Sequence, residues 1–254
     1  MRKFFQIFLA TMFFVSATFA AAASFAEDVI EVEGVAYPEK GVSPNQLRRM
    51  AVLDAYRYLA EQTDTLYVTS LSTVKNMREL DDQINTKVEA ALRGAKIISV
   101  TREKDGSFHA KAQLSMYGGS KSLAAAVLDE KIIVEDFPEP KRTNIISEIN
   151  YTGLIIDCRG LNLSKAIAPA IKSVDGTEVY AYKNLGYQAA VDNGMVEYSS
   201  TLETSRAGSS PLIIKATKIS GACDVVVTAQ DADKILSANK SAKFLDNCLV
   251  VLVR

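Results

Sequence analysis

The chain has 254 residues, of which 29 are basic and 30 acidic, so its net charge is −1. A nearly neutral chain without a basic run lacks the electrostatic footprint of a nucleic-acid-binding protein, and it has no polybasic segment for a lipid surface. We therefore expect no nucleic-acid partner. The length is sufficient for one large or two small domains.

The N-terminus has the organisation of a secretory signal peptide. Arg2 and Lys3 give a short basic start, residues 4–15 form an apolar run, and residues 16–26 are rich in small side chains. The competing interpretation is an uncleaved anchor, but the apolar run is short for a membrane-spanning helix. We expect cleavage after Ala26, with Ala20 and Ala23 as earlier alternatives, and hence a periplasmic protein.

Residues 27–128 predict a small α+β domain with the order β-α-β-α-β-β and two helices on one face of a sheet. The alternation of apolar residues predicts strands, and apolar residues four apart predict helices. An Asp105-Gly106 pair is typical of a hairpin turn. The predicted strands are Val29–Ala36, Leu66–Val74, Ala95–Val100 and Ser107–Met116, the helices are Ser43–Thr63 and Leu80–Leu92, and a loop with a short helix follows over Gly118–Leu128.

The helix Ser43–Thr63 is the clearest element. Ser43 and Gln46 fit a capping box, and Pro44 suits the first helical position. An apolar ridge follows at intervals of four, and its two middle members are alanines, so the helix can approach a sheet closely. We expect it to cover the strands on either side of it in the sequence. The ridge is Leu47, Ala51, Ala55 and Leu59.

Charge and proline mark residues 129–148 as a linker, in which Lys131–Val134 is an alternative strand. Residues 149–254 then predict a second, mixed α+β domain. Its expected strands are Tyr151–Asp157, Ala166–Ile171, Glu178–Tyr182, Leu212–Thr217, Asp224–Val227 and Cys248–Val253, and its expected helices are Gly194–Leu202 and Asp231–Asn239, the latter capped by Thr228.

Several of these segments together resemble known families. One group of segments lies in the N-terminal half: the first strand, the capped helix with AEQ near its end, VTS, Gly94-Ala95, ISV and the Asp-Gly hairpin. Together they resemble the N-terminal domain of flagellar assembly protein T and small outer-membrane lipoproteins of the flagellar protein P type. Five segments of the C-terminal half together resemble a domain of uncharacterised bacterial secreted proteins: YTGLIIDCRGL, GMVEY, RAGSSPLIIKAT, DVVVTAQDADKIL and FLDNCLVVLV. The resemblance implies an envelope protein of assembly or structural type. Peripheral outer-membrane association is compatible with it, although the lipoprotein members carry an N-terminal cysteine and the first cysteine here is Cys158.

Catalytic and metal-binding signatures are weak. His109 is the sole histidine and alternates along a predicted strand, so neither a histidine triad nor a usual zinc site is expected. Asp231 and Asp233 lack the rest of a calcium loop and are better explained by helix capping. Gly118–Ser122 (GGSKS) departs from the phosphate-loop pattern and indicates a turn into a helix. We therefore expect no catalytic residues, no metal and no cofactor.

Two smaller predictions concern the C-terminal half. Asp157 and Arg159 flank Cys158 at the end of an apolar strand, where polar groups can meet a ligand. A structural ion pair is the alternative. Cys223 and Cys248 are the pair that would form a disulfide in an oxidising compartment, and three small buried hydrophobic side chains are the alternative.

We expect a non-catalytic periplasmic protein that binds envelope or flagellar proteins, or copies of itself, through edge strands or a helix face. The alternative is a small-ligand-binding protein with a pocket between its domains. Asp157 and Arg159 lining such a pocket would favour that alternative.

Overall fold

The computed structural model describes residues 29–142 and 150–254. The predicted signal peptide lies outside them, as does part of the predicted linker. The fold is α+β, as expected. The N-terminal half contains β1 (Val29–Ala36), α1 (Pro44–Thr65), β2 (Tyr67–Thr69), β3 (Ser72–Thr73), α2 (Val74–Leu80), α3 (Asp82–Arg93), β4 (Lys96–Arg102), β5 (Phe108–Ser115) and α4 (Leu123–Val127). None of the described helices has the length and apolarity needed to cross a membrane.

The C-terminal half contains a larger number of short strands. Its elements are β6 (Leu154–Asp157), β7 (Ile171–Ser173), β8 (Glu178–Tyr180), a 3₁₀ turn (Tyr182–Asn184), α5 (Tyr187–Asn193), β9 (Glu197–Ser199), β10 (Leu212–Lys215), β11 (Lys218–Ser220), β12 (Asp224–Val227), α6 (Ala229–Ala242) and β13 (Val250–Val253).

Helix α1 lies against an antiparallel sheet with the strand order β1-β5-β4. The predicted capping box is present, since the Ser43 hydroxyl accepts from the Gln46 backbone N–H and the Gln46 side chain accepts from the Ser43 backbone N–H. All four ridge residues are buried. The helix approaches β1 so closely that a Cβ added at Gly34 would lie 2.0 Å from the backbone nitrogen of Ala55. The sequence therefore predicted both the helix and the face that it buries.

The free edge of β1 is partly capped by α1. The Val35 backbone N–H donates to Oδ2 of Asp54 over 3.0 Å, and Asp54 also accepts from Arg57 at 2.8 Å. Burial opposes ionisation of Asp54, but these hydrogen bonds outweigh it and lower its pKa. The Asp54 carboxylate thus accepts a hydrogen bond from one backbone N–H at the open edge of β1, where another strand could otherwise pair.

Two predictions in the N-terminal half are wrong. Leu66–Val74 does not join the sheet under α1; it folds into the small hairpin β2–β3, with Leu71 at its exposed tip. The predicted helix from Leu80 is interrupted at Asp81, which ends α2 and caps α3 through the Gln83 and Ile84 N–H groups. Leu80 is consequently 87% exposed. The apolar residues continue at intervals of four on both sides of Asp81, so their spacing alone does not reveal that this residue caps a new helix.

The β4–β5 hairpin agrees with the prediction. Gly106 adopts φ +87° in its turn, a conformation that glycine reaches without strain. Asp105 accepts from the Ser107 backbone N–H at 2.9 Å and from its hydroxyl at 2.7 Å. Strand β5 is the central strand of the sheet and runs antiparallel to both β1 and β4.

The C-terminal half contains two four-stranded sheets, with the orders β10-β6-β13-β9 and β11-β12-β7-β8. All pairs of the first sheet are parallel, and β13 lies between β6 and β9. Strands β12 and β13 are entirely buried, which explains their continuous apolar sequences. Thr228 caps α6 as predicted, accepting from the Asp231 N–H at 3.0 Å.

Other segments of this half differ from expectation. Residues 194–202, predicted as a helix, contain β9, and α5 ends just before them at Asn193. No regular strand forms over residues 131–134, where Ile133 is 86% exposed. The extended stretch expected at Ala166–Ile171 provides only the first residue of β7. These short strands are defined by partners distant in sequence, whereas a helix depends mainly on its own residues.

Residues 129–142 pack on the C-terminal half although they contain no helix or strand. Phe137 stacks on Tyr180 with a ring-centroid distance of 6.3 Å. The Lys141 backbone N–H donates to Oδ1 of Asp233 at 2.7 Å, and its ammonium reaches Asp175 at 2.6 Å. The described part of the predicted linker is therefore anchored along its length.

The two halves share a continuous hydrophobic core. Hairpin β2–β3 accepts two backbone hydrogen bonds from the other half, from Ile167 N–H to the Tyr67 carbonyl at 3.0 Å and from Ala168 N–H to the Val68 carbonyl at 2.8 Å. Helix α4 is wholly buried between the halves. The Leu66–Val74 segment thus connects the two halves instead of extending its own sheet.

Candidate functional site

Asp157 and Arg159 form a local ion pair at the C-terminal end of β6. Arg159 Nε donates to Asp157 Oδ1 at 2.8 Å, and a terminal guanidinium nitrogen donates to Oδ2 at 2.7 Å. These hydrogen bonds lower the pKa of Asp157 to about 2. Each group is the other's partner, and this geometry matches the structural ion pair considered as the alternative to a binding site.

The cysteines are three free, buried thiols. The predicted disulfide between Cys223 and Cys248 is not formed: Cys223 precedes β12 in one sheet, whereas Cys248 precedes β13 in the other. Burial raises the pKa of Cys158 and of Cys223 to about 12, and it also raises that of Cys248. Protonated, buried thiols are poor nucleophiles.

The remaining polar residues that the sequence singled out have local partners. His109 Nδ1 lies 3.1 Å from Glu33 Oε1 across the β1–β5 pair. Asp231 belongs to the cap of α6, as predicted. Asp233 is not a capping residue; it is buried and holds the backbone of Lys141. Within the described ranges, no three potential metal-ligating side chains come together.

A buried polar cluster forms at the junction of the halves around Asp224. Its carboxylate accepts from the Ser70 hydroxyl at 2.7 Å and from the Ala170 N–H at 3.0 Å, and it pairs with Lys172 at 2.8 Å. The hydrogen bond with Asp224 raises the pKa of Lys172. Sequence spacing could not indicate this cluster, because Ser70 and Asp224 are 154 residues apart.

A cleft of about 620 Å³ lies between α3 of the N-terminal half and α5 of the C-terminal half, beside α4. Three basic side chains, Lys87, Arg93 and Lys121, line it together with one acidic residue, Glu130. Neither Asp157 nor Arg159 belongs to its lining. The sequence could have indicated only the Gly118–Ser122 segment, of which Ser120, Lys121 and Ser122 line the cleft and Ser122 caps α4.

A second surface feature lies where α1 meets the free edge of β1. Tyr37, Met50, Leu53 and Tyr58 are 68%, 44%, 67% and 40% exposed. Tyr37 and Tyr58 border a shallow groove of about 500 Å³ along β1. On α1, Met50 precedes the groove residue Asp54 by four positions and Leu53 follows Met50 by three, so these two side chains extend the apolar surface from the groove onto the outer face of the helix. We call these four residues the α1–β1 surface.

Comparison with protein families finds two similarities that fall on the two halves. Residues 20–115 match the LPP20 lipoprotein family, and residues 153–254 match the second domain of Treponema pallidum Tp0624. A search of curated proteins finds no match to this chain. Together the matches support a two-domain protein whose N-terminal half is similar to a lipoprotein family.

Proposed function

We propose that this protein works without catalysis in the bacterial envelope by binding other envelope proteins through the α1–β1 surface. The observation that carries the proposal is the exposure of four large apolar side chains, two of them aromatic, on neighbouring parts of one helix and strand edge. Exposed apolar clusters of this kind mark interaction sites, and tyrosines are enriched in interfaces.

The charges around this surface favour a partner with basic groups. Glu31, Glu33 and Asp54 border the groove along β1. Arg57 is engaged with both Asp54 and Glu61 at 2.8 Å. Complementary charges increase the rate and specificity of association more than the affinity. A role in flagellar or outer-membrane assembly is part of the proposal, supported by the sequence resemblance.

The test is cross-linking and co-purification from the native envelope, followed by mass spectrometry. The wild-type protein is compared with Leu53→Lys and with Leu71→Lys as the matched control, since Leu71 is 95% exposed but lies on the β2–β3 hairpin. We expect a defined partner whose recovery Leu53→Lys abolishes and Leu71→Lys leaves unchanged.

The identity of the partner decides between the finer versions of the proposal. Recovery of flagellar components would support a role in the assembly of that organelle. Recovery of other envelope proteins would support the protein-binding function but contradict the flagellar role. Recovery of the protein itself, with a matching dimer in light scattering, would identify a homo-oligomer. The absence of any partner sensitive to Leu53→Lys would overturn the proposal.

A second candidate function, small-ligand binding, is supported by a separate observation. The cleft between α3 and α5 lies at the junction of the two halves, where ligand sites commonly occur.

A further inference from the structure

The cleft between α3, α4 and α5 has the size of a small-molecule site. Its volume of about 620 Å³ falls within the range of about 300–1,000 Å³ typical of ligand pockets. The inference that follows rests on the second candidate function, ligand binding, and specifies the class of ligand.

The charge of the cleft is predominantly positive. Lys87 and Arg93 extend from α3, and Lys121 comes from the loop before α4. All three are exposed. In the part of the chain that the structure describes, Lys87 and Lys121 make no ion pair, and Arg93 is 3.8 Å from Glu89, a long contact between two exposed groups. These cations are therefore available to an anionic group.

The rest of the cleft is apolar. Ala91, Ala125, Ala126 and Val191 line it and are buried. The half-buried Tyr187 adds an aromatic side chain, and its hydroxyl is already engaged with the Ala125 carbonyl at 3.2 Å. Small side chains on α3 and α4 leave space that a hydrocarbon chain can fill, and filling it removes apolar surface from water.

We propose that this cleft binds a small amphiphile with an anionic head, a carboxylate or a phosphate, and an apolar chain. The anionic head of the ligand pairs with Lys87, Arg93 and Lys121. Its apolar chain lies against the alanine-rich floor of the cleft, formed by the buried residues Ala91, Ala125, Ala126 and Val191. A free inorganic anion would use only the cations, and a neutral lipid only the floor. The combination of both surfaces in one cleft selects a molecule that has both parts.

Isothermal titration calorimetry at low salt tests this proposal on the protein from Glu27 onward, which retains every described residue. The probes, kept below their micellar concentrations, are decanoate, decyl phosphate, decanol and inorganic phosphate. We expect one equivalent of decanoate or decyl phosphate to bind at least about tenfold more tightly than decanol or inorganic phosphate. The tighter of the two anions identifies the head group as carboxylate or phosphate.

Three variants connect the binding to the cleft. Lys87→Ala with Lys121→Ala should weaken anion binding about tenfold or more by removing two charge-assisted contacts. Ala90→Trp, at an exposed position in the cleft lining, should block the chain. Lys104→Ala, an exposed lysine in the β4–β5 turn, is the control and should bind as the wild type does.

Equal affinity for decanol and decanoate, or wild-type binding by the double-lysine variant, would overturn the proposal. So would the absence of binding by any probe. These outcomes are independent of the protein-partner proposal, because Leu53→Lys alters the α1–β1 surface and leaves the cleft lining unchanged.

Discussion

The Ser70 hydroxyl donates a 2.7 Å hydrogen bond to Asp224 Oδ2 across the junction between the two halves. Ser70 lies between the two strands of the β2–β3 hairpin, and Asp224 begins β12. The same carboxylate is paired with Lys172, so a single buried acid connects the hairpin to the C-terminal half. Backbone hydrogen bonds from Ile167 and Ala168 add to this connection.

Asp224→Asn should destabilise the protein by about 2–4 kcal/mol, because Lys172 would then lack its closest carboxylate partner. Ser70→Ala should cost less, about 1–2 kcal/mol, since it removes one hydrogen bond to a charged group. Urea unfolding of both variants and the wild type measures these differences. A wild-type free energy of unfolding for Asp224→Asn would contradict the assigned role.

Gly34→Ala should be strongly destabilising, by about 3 kcal/mol or more, because the new Cβ would lie 2.0 Å from the Ala55 nitrogen and 2.5 Å from the Ala51 carbonyl oxygen. Helix α1 would have to move away from β1. Gly186→Ala is the matched control, since a Cβ there meets no atom within 4 Å and φ is −69°. Thermal unfolding distinguishes them; equal melting temperatures would show that the α1–β1 contact is looser than described.

The three cysteines should be inert in the folded protein. Burial raises the pKa of Cys158 and Cys223 to about 12, so at pH 8 almost no thiolate is present. Iodoacetamide should label none of them in native buffer and all three after unfolding in guanidinium chloride without reductant. Intact mass spectrometry counts the adducts. A single adduct in the unfolded, unreduced protein would instead demonstrate a disulfide.

The Asp157–Arg159 pair predicts a small pH dependence of stability. The hydrogen bonds from Arg159 hold the folded pKa of Asp157 at about 2, below its unfolded value of about 3.9. The contribution is therefore complete above pH 4 and is lost as the pH falls toward 2. Because the pair is partly exposed, Asp157→Asn should lower the free energy of unfolding by less than about 1 kcal/mol at pH 6.

Urea unfolding of wild type and Asp157→Asn between pH 2.5 and 6 checks this prediction, and their difference should shrink toward the acid end. Asp136→Asn is the control, because the exposed Asp136 carboxylate forms no ion pair among the described residues. A difference that grows on acidification would show that the sign is wrong.

Local signals in the sequence were sufficient for the elements that depend on neighbouring residues. The Ser43 capping box, the ridge of α1, the Asp105-Gly106 hairpin and the Thr228 cap are each encoded within a few residues. The signals misled where a distant partner decides the conformation. The Leu66–Val74 segment pairs with residues near Ala166, and Glu197–Ser199 becomes a strand because β13 lies beside it.

The cleft could not be predicted from the sequence for the same reason. Lys87 and Lys121 come from different elements, and Tyr187 comes from the other half of the chain. Only their packing around α4 brings them together. The sequence predicted a binding site at Asp157 and Arg159 because they follow an apolar strand. In the structure the two side chains form hydrogen bonds with each other. The sequence pattern is the same for such an ion pair and for an open site, so it could not distinguish them.

Strand β13 is among the final residues of this chain, yet it lies inside its sheet between β6 and β9. One of the two neighbours of β6 therefore lies nearly 100 residues further along the chain, and non-local pairing of this kind slows folding. The sheet cannot be completed without residues 250–253, because β13 is the strand that joins β6 to β9. Trimming the chain before Val250 would consequently remove the middle of a sheet, whereas most domains tolerate the loss of a few terminal residues.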